Sequence, residues 1–383
     1  MEGIASVILA AGKGTRMKSD LVKVLHPILG RPMLSYTVDL SLHHIKAEKT
    51  IVVIGHQADQ IEERFGDSRI EFVHQDEQLG TGHAVLQVLP FLRGFTGIAL
   101  ILCGDVPLVK AETLRSFIDT FLENHSTIAV LTAVVKNPYG YGRIIRGEEG
   151  WLERIVEEKD ASNEERLIRE INTGIYCVRS AFLMEGLKEI GKENVQGEYY
   201  LTDLVEVARK RDLRCSAHMV ADPVEVMGIN TRVDLATATE VLRQEKVQEL
   251  MLSGVTIVDP RTTYVDRTVE IGKDTTLYPN CTLQGRTRIG ERCVIEPNSK
   301  ISDTEIGNGV TIRSYSVITE SRIEEGAVIG PFAHLKPLNE VKTNVTKDVP
   351  EGAPAISRVK QKNIRGWSKK IELHHKKGRK KKV

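Results

Sequence analysis

The sequence lacks long hydrophobic runs and contains few cysteines. No apolar stretch among its 383 residues approaches the roughly 20 residues of a membrane-spanning helix, and the N-terminus lacks a signal-peptide pattern. The five cysteines are scattered and odd in number, which argues against a disulfide framework, and their spacing offers no zinc site. We therefore expect a cytoplasmic protein without a membrane span.

Acidic residues are nearly missing from the C-terminal tail. From residue 358 to the end, twelve Lys and Arg accompany a single acid, Glu372, although the formal net charge of the whole chain is only +1. Such a tail could contact RNA or anionic lipid, but Trp367 is its only aromatic residue, which disfavours a stacking platform for single strands. We expect a solvated, flexible tail and no nucleic-acid partner.

Two common nucleotide-binding motifs are missing from the glycine-containing stretch near the N-terminus. It fits neither G-x-G-x-x-G nor G-x-x-x-x-G-K-S/T. An apolar run at residues 4–9 leads instead to Gly12 and Gly14, and Arg16 and Lys23 follow. Backbone N–H groups of such a turn can cradle phosphate, and the two cations would neutralise a triphosphate. An ordinary glycine-rich strand–helix turn remains the alternative interpretation.

The overall composition is that of a soluble globular protein, with 41% hydrophobic and 27% charged residues. Residues 1–229 alternate short apolar runs with helical patterns, such as those at 58–65 and 111–123. This alternation predicts an α/β class with a Rossmann-like domain and a mostly parallel sheet, whose ligands bind at the carboxyl ends of the strands. The expected order is this domain at 1–229, a linker helix at 230–254, a short left-handed β-helix at 255–337, and an exit segment and basic tail at 338–383.

The β-helix is predicted from a hexapeptide repeat. An aliphatic residue recurs every six positions from Val265 to Ile301, and the series continues from Ile306 to Leu335 with occasional five-residue steps. Such a period is typical of a left-handed parallel β-helix. With three hexads per turn, the series predicts about four coils, and a homotrimer through their flat faces is conceivable.

Two polar loops follow predicted strands of the α/β domain. In the first, Gln75 offers a donor and an acceptor for reading a base edge, and Gly80 permits close backbone approach to a flat base. The alternative is a plain loop with a helix N-cap at Thr81. In the second, Asp105 directly follows a buried strand, where a carboxylate suits Mg²⁺ bound together with phosphates. Asp105 as a turn or capping residue is the alternative.

Several of these motifs resemble one family. Residues 9–20, L-A-A-G-K-G-T-R-M-K-S-D, together with K-V-L-H-P at 23–27, resemble the signature of sugar-1-phosphate nucleotidylyltransferases. They are most similar to that of the bifunctional N-acetylglucosamine-1-phosphate uridylyltransferase/glucosamine-1-phosphate acetyltransferase. Later segments match motifs of the same family: Q-x-E-Q-L-G-T-G-H-A, G-D-x-P-L, G-Y-G-R, E-x-N-x-G and G-E-Y-Y-L-T-D.

The resemblance implies a role for each matching residue. Arg16 and Lys23 would be catalytic, and Asp105 and Asn230 would bind Mg²⁺. The expected substrate contacts, which also include Lys23, Asp105 and Asn230, come from Leu9, Ala10, Ala11, Gly12, Gln75, Gly80, Thr81, Cys103, Gly104, Gly142, Glu157 and Asn172. Among them, Gln75, Gly80 and Thr81 would select uridine, and Gly142, Glu157 and Asn172 would hold the sugar phosphate. Cys103 stands where the family more usually has tyrosine.

Two of these residues have a simpler interpretation when considered without the resemblance. Glu157 alone would be a solvated charge on a strand. Asn230 alone would be the N-cap of the helix that runs to Leu252, although one residue can serve both purposes.

The family's second activity is expected to be absent. Residues 330–337 resemble its G-P-F-A-R-L-R-P, the ladder then stops, and residues 344–367 resemble the family's far C-terminal exit. The intervening coils, which carry the family's catalytic histidine and acetyl-CoA site, have no counterpart. The histidines after His334 are His374 and His375, both in the tail.

The resulting prediction is Mg²⁺-dependent transfer of UMP from UTP to N-acetylglucosamine 1-phosphate, with release of pyrophosphate. A related transferase acting on another sugar phosphate or nucleotide is one alternative. A still-bifunctional enzyme is a second, and a nucleotide-sugar-binding scaffold without turnover is a third.

Overall fold

The computed structural model describes residues 2–66, 69–147 and 150–341, and the chain divides into two compact units, residues 1–242 and 243–383. The division falls inside the segment predicted as a linker helix. Most of the predicted exit segment and the whole basic tail, with Trp367, His374 and His375, lie outside the described residues.

The first unit is built from strands that alternate with helices. Its described strands are β1 (Gly3–Leu9), β2 (Pro27–Ile28), β3 (Arg31–Pro32), β4 (Lys49–Ile54), β5 (Ile70–His74), β6 (Gly97–Cys103), β7 (Ile128–Val134), β8 (Arg143–Arg146), β9 (Leu152–Val156), β10 (Glu170–Arg179) and β11 (Cys215–Met219). The described helices are α1 (Met33–Asp39), α2 (Ala58–Arg64), α3 (Thr81–Leu86), α4 (Ala111–Glu123), α5 (Ser180–Gly186), α6 (Asp203–Lys210) and α7 (Arg232–Leu252), the last of which crosses the division between the units.

The central sheet is mostly parallel, as predicted. Its strand order is β11-β7-β10-β6-β1-β4-β5, and β8 and β9 form a hairpin attached to β10. Strand β10 is antiparallel to β6 and β7, whereas β6, β1, β4 and β5 run in one direction. The fold is therefore the α/β class expected from the alternating sequence pattern.

Both faces of this sheet are buried, because successive side chains of a strand point to opposite sides. In β1, Val7 packs into one hydrophobic cluster and Ile8 into the other, and both side chains are fully buried. Such continuous apolar strands are typical of a parallel sheet that is covered by helices on both faces. Polar side chains are therefore left to the loops at the strand ends.

The second unit contains the predicted left-handed β-helix. Its described strands are β12 (Thr256–Ile257), β13 (Tyr264–Val265), β14 (Glu270–Ile271), β15 (Thr276–Leu277), β16 (Thr282–Gln284), β17 (Arg288–Ile289), β18 (Val294–Ile295), β19 (Lys300–Ser302), β20 (Glu305–Ile306), β21 (Thr311–Ile312), β22 (Val317–Thr319), β23 (Arg322–Ile323), β24 (Val328–Ile329), β25 (His334–Leu335) and β26 (Glu340–Val341). They form three parallel sheets of five strands each.

The described part of the β-helix has five coils, so the expectation of about four coils is wrong. One extra strand, β12, lies before the hexapeptide ladder, and another, β26, lies one step after Leu335. The second residue of each strand is the aliphatic one, and with the exception of the partly buried Ile271 these side chains form the buried core. The hexapeptide period thus corresponds to one strand and one corner.

No helix in the described part of the chain combines the length and the apolar character that crossing a membrane requires.

Candidate active site

Three loops meet at the carboxyl edge of the central sheet. Backbone hydrogen bonds continue the pairing past the strand ends, from Ala10 N to Val53 O at 2.8 Å and from Gly104 N to Leu9 O at 2.9 Å. Gln75 N likewise donates to Ile54 O at 2.8 Å. The residues after β6 and β1 therefore lie side by side, and those after β5 lie on the same edge beyond β4, where parallel sheets place their ligands.

A cavity of about 330 Å³ opens at this edge. Its lining includes ten of the predicted site residues: Leu9, Ala10, Ala11, Gly12, Lys23, Gln75, Gly80, Thr81, Cys103 and Asp105. Four other lining residues were not predicted: Val24, Gln78, Ala84 and Glu198. Gln78 and Ala84 belong to the same polar loop and following helix as Gln75, and Glu198 belongs to the G-E-Y-Y-L-T-D segment, so their neighbourhood in sequence was the available signal.

Lys23 is held by the glycine turn after β1. Gly14 has a φ of 59°, and a Cβ atom there would lie 2.5 Å from Lys23 Cβ. The turn therefore requires glycine both for its left-handed backbone and for the close approach of Lys23. The Lys23 ammonium contacts Asp105 Oδ2 at 2.5 Å and Asn230 Oδ1 at 3.1 Å. Both side chains of the Lys23–Asp105 pair are largely buried.

Asn230 enters the site from the segment that precedes α7. Its Oδ1 also accepts a hydrogen bond of 2.9 Å from Arg16 Nη2, so one amide oxygen joins both predicted catalytic cations. The N-cap of α7 is Thr231, whose Oγ1 accepts from Asp234 N while the Asp234 carboxylate accepts from Thr231 N. The interpretation of Asn230 as the N-cap is therefore wrong, because this reciprocal pair fills that role.

The oxygens around the Lys23 ammonium have the chemistry of a hard-cation site. Asp105 Oδ2 and Asn230 Oδ1 both contact the same positive charge, so they converge on one region of the cavity edge. A carboxylate and an amide oxygen are donors that Mg²⁺ prefers, and Mg²⁺ commonly takes its remaining ligands from phosphates and water. Among the described residues, no group of three or more His, Cys, Asp or Glu side chains could hold a metal without such help.

The loop with Gln75 is fixed by its own hydrogen bonds. Gln75 is almost fully buried, and its Nε2 lies 3.1 Å from Gly80 O and 3.1 Å from His83 Nδ1. Gly80 has a φ of 107°, and a Cβ atom there would lie 2.5 Å from Tyr199 O. The close approach that requires this glycine is therefore to a neighbouring chain segment.

Thr81 does not cap α3. It is the first residue of that helix, Gly80 occupies the N-cap position, and Thr81 Oγ1 accepts a hydrogen bond of 3.1 Å from Leu201 N. The N-cap interpretation of Thr81 is therefore wrong. Its hydroxyl instead connects the loop at residues 75–80, called the base loop below, to the segment that follows Tyr199.

The predicted sugar-binding residues form a cluster of their own. A Cβ atom on Gly142 would lie 3.4 Å from Asn172 Cβ and 3.5 Å from Glu157 Oε2, so the three residues are neighbours. Burial raises the pKa of the Glu157 carboxyl, which accepts a hydrogen bond of 3.3 Å from Thr202 Oγ1. Asn172 Oδ1 accepts from Gly174 N at 2.9 Å in a bulge of β10.

Cys103 connects that bulge to the cavity. Its thiol donates to Gly174 O at 3.4 Å, and burial, together with the charge of Asp105, raises its pKa to about 12. The side chain therefore stays a neutral thiol at physiological pH. It lines the cavity as a small, unreactive group at the position where the family more usually has tyrosine.

Six predicted residues are not part of the cavity lining: Arg16, Gly104, Gly142, Glu157, Asn172 and Asn230. Asn230 connects to the cavity by its hydrogen bond with Lys23, and Arg16 connects to it through Asn230. Gly104 lies at the end of β6 against Leu9 O. The three sugar-binding candidates form the separate cluster described above.

Comparisons with known proteins agree with this architecture. Residues 6–172 match the MobA-like NTP transferase domain, and residues 268–303 and 286–320 match the bacterial transferase hexapeptide (six repeats). Together with the fold, these matches define a nucleotidyltransferase that carries a hexapeptide β-helix, as predicted.

Curated relatives identify the family. The chain is 50% identical over 346 residues to the bifunctional protein GlmU of Geotalea uraniireducens strain Rf4, covering 90% of this chain and 76% of the relative. It is 50% identical to that of Geobacter metallireducens, with the same coverage, and 47% identical to that of Geobacillus sp. strain WCH70, covering 89% of this chain and 73% of the relative. The chain therefore belongs to the GlmU family, which confirms the predicted resemblance.

Proposed function

We propose that the chain transfers UMP from UTP to N-acetylglucosamine 1-phosphate, giving UDP-N-acetylglucosamine and pyrophosphate. The observation that carries this proposal is the meeting of Lys23, Asp105 and Asn230, which come from three distant segments, at one edge of the cavity. A cation and two hard oxygen donors at the carboxyl edge of a parallel sheet suit a triphosphate. Membership of the GlmU family and the NTP transferase match support the same reaction class.

The reaction is a displacement at phosphorus. An oxygen of the sugar 1-phosphate attacks the α-phosphorus of UTP and forms a new P–O bond, while the bond to the bridging oxygen breaks and pyrophosphate leaves. The protein supplies no nucleophile, so its contribution is positioning and charge neutralisation. Lys23 and Arg16 are the cations that neutralise the phosphate charges during this displacement.

Mg²⁺ is the cofactor that the oxygen donors fit. Asp105 and Asn230 would hold it, and when bound it would neutralise phosphate charge as a Lewis acid. The Lys23 ammonium contacts the Asp105 carboxylate at 2.5 Å. This pairing supports the proposal because it keeps the two oxygen donors together.

The remaining predicted residues are assigned by substrate part. Gln75, Gly80 and Thr81 read the uracil base, and Leu9, Ala10, Ala11 and Gly12 present the first loop to the nucleotide. Cys103 and Gly104 lie beside that loop at the end of the neighbouring strand β6. Gly142, Glu157 and Asn172 hold the sugar phosphate, because a carboxyl and an amide in one cluster can bond to sugar hydroxyl and acetamido groups.

We further propose that this chain does not transfer acetyl groups, that it works in the cytoplasm, and that it forms a homotrimer through its β-helix. The first point rests on the absence of a sequence counterpart for the family's catalytic histidine and acetyl-CoA site. Trimer formation is supported by the hexapeptide repeats. Size-exclusion chromatography with light scattering tests the trimer directly, and a monomer mass would refute it.

The decisive experiment measures pyrophosphate release from UTP with a panel of sugar 1-phosphates, with Mg²⁺ and with EDTA. Release that requires both N-acetylglucosamine 1-phosphate and Mg²⁺ is expected. A preference for another sugar phosphate or another nucleotide would contradict the substrate assignment. Glucosamine 1-phosphate with acetyl-CoA is run in parallel, and free CoA would contradict the loss of acetyl transfer. Binding of UDP-N-acetylglucosamine without any turnover would favour a scaffold.

A further inference from the structure

We propose that His83 is a positioning residue that holds the Gln75 amide so that the base site accepts uracil and rejects cytosine. The inference deepens the proposed function, on which it rests for the identity of the nucleotide. It concerns a residue that touches no substrate in the proposed roles. His83 acts through Gln75, which lines the cavity and lies 3.1 Å from the imidazole.

The orientation of the Gln75 amide follows from its partners. The Gly80 carbonyl can only accept a hydrogen bond, so the atom that faces it at 3.1 Å must be the amide nitrogen of Gln75. The same nitrogen lies 3.1 Å from His83 Nδ1. With both N–H groups engaged, only Oε1 remains for a ligand, and this oxygen has no hydrogen-bond partner in the part of the chain that the structure describes.

A lone acceptor placed against ring N3 discriminates between uracil and cytosine. Uracil presents a ring N3–H donor, whereas the N3 atom of cytosine is an acceptor. Oxygen against the cytosine N3 would oppose two lone pairs and leave a buried polar group unpaired, which is the arrangement that gives strong rejection.

The imidazole must therefore accept at Nδ1 and carry its proton on Nε2. Stacking holds the ring plane, because the His83 and Tyr199 ring centroids are 6.1 Å apart with an interplanar angle of 21°. Without the imidazole, one N–H of Gln75 loses its acceptor and can turn toward the base.

The test compares the wild type with His83→Leu, His83→Asn and a matched control, His74→Leu. His74 is a half-exposed histidine of the same unit that contacts Glu62. We expect the ratio of kcat/KM for UTP to that for CTP to fall about tenfold in His83→Leu, with an unchanged KM for N-acetylglucosamine 1-phosphate. His83→Asn should recover most of the ratio because its Oδ1 can accept from Gln75. His74→Leu should leave the ratio unchanged.

Equal losses for both nucleotides, or an unchanged ratio, would overturn the assignment and leave His83 as a support of the loop. If His83→Leu does not fold, His83→Ala removes the same acceptor of the Gln75 amide, and we expect a fall in the same direction; an unchanged ratio there would count against the assignment. Calorimetric binding of UTP and CTP to wild type and variants separates the two proposals. If no variant or wild type turns over substrate, but the ratio of UTP affinity to CTP affinity still depends on His83, the proposed reaction is rejected and the role of His83 stands.

Discussion

The β-helix and the α/β unit differ in how their structural roles are distributed. In the β-helix, each coil repeats the same task, and the inward residue of one strand lies in register above that of the next, as Ile295 does above Ile312 and Ile312 above Ile329. In the α/β unit, Lys23, Asp105 and Asn230 each have a role that no other residue repeats, and they come together from segments more than 80 residues apart.

This contrast separates stability from chemistry. A repeated aliphatic position contributes burial that its neighbours also contribute, so its loss should weaken the fold in proportion to the volume removed. A polar side chain at the sheet edge, such as the largely buried Asp105, contributes little apolar burial but has no substitute. Substitutions in the β-helix should therefore lower stability, whereas substitutions at the sheet edge should lower turnover.

The largest effect is expected from Asp105→Ala. This change removes the carboxylate that faces Lys23 and one of the two oxygen donors of the proposed Mg²⁺ site. Pyrophosphate release should fall by at least about 100-fold, because the Mg²⁺ that would neutralise the reacting phosphates loses its carboxylate ligand. Its thermal midpoint should change little.

Asp39→Ala is the matched control, since Asp39 pairs with Arg31 at 2.7 Å and is half-exposed. It should retain wild-type turnover. Appreciable activity of Asp105→Ala would show that Asp105 does not hold the metal. It would also contradict the division between residues needed for stability and residues needed for chemistry.

The second effect belongs to the β-helix. Ile312 is fully buried, and Ile312→Ala should lower the free energy of unfolding of its coils by about 2–5 kcal/mol. Hydrogen exchange of peptides from residues 294–329 would measure this loss, with Ile312→Val as the milder control at about 0.5–1.5 kcal/mol. Turnover at 25 °C should stay within about twofold. A large loss of turnover with unchanged exchange would reverse the contrast.

The sequence predicted the β-helix nearly residue by residue because a single period determines it. The misses lie at its two ends. Ile257 lies eight residues before Val265, so the six-residue rule does not reach the first coil, whereas Val341 continues the rule one step beyond Leu335 and was overlooked. Because the backbone geometry is the same in each coil, such repeats can be recognised in the sequence.

The site was predictable only in part, because a strand end fixes where a residue lies and leaves its partners open. Ten predicted residues line the cavity, yet the identity of the α7 cap, Thr231, and the contact between Gln75 and His83 depend on tertiary neighbours. Glu198 reaches the cavity from a segment more than 100 residues after Gln75, and its place in the G-E-Y-Y-L-T-D motif is the one sequence signal for that approach.

A smaller effect should distinguish glycines in the two units. Gly80→Ala adds a Cβ atom 2.5 Å from Tyr199 O at a φ of 107°, so the base loop must move. We expect the KM for UTP to rise about tenfold, with a stability loss of about 1–3 kcal/mol. Gly309→Ala in the β-helix has a φ of 65° and nothing within 4 Å, so it should lose about 1–2 kcal/mol and leave KM unchanged. Equal KM values in both variants would show that the base loop tolerates displacement.

The smallest effect concerns Asp203, the first residue of α6, and shows whether the α/β unit gives up stability near its sugar-binding cluster. Burial, and then the charges of Glu206, Glu157 and Asp160, raise its pKa to about 6. Between pH about 4 and 6 the folded protein keeps a proton that the unfolded chain has released, so stability falls as pH rises through this window. Asp203→Asn should flatten the urea midpoint across that window and raise it at pH 7. Asp212→Asn makes the same charge change at an exposed turn and should follow the wild-type profile. A midpoint of Asp203→Asn that falls with pH as steeply as the wild type would assign the pH dependence to other carboxyls.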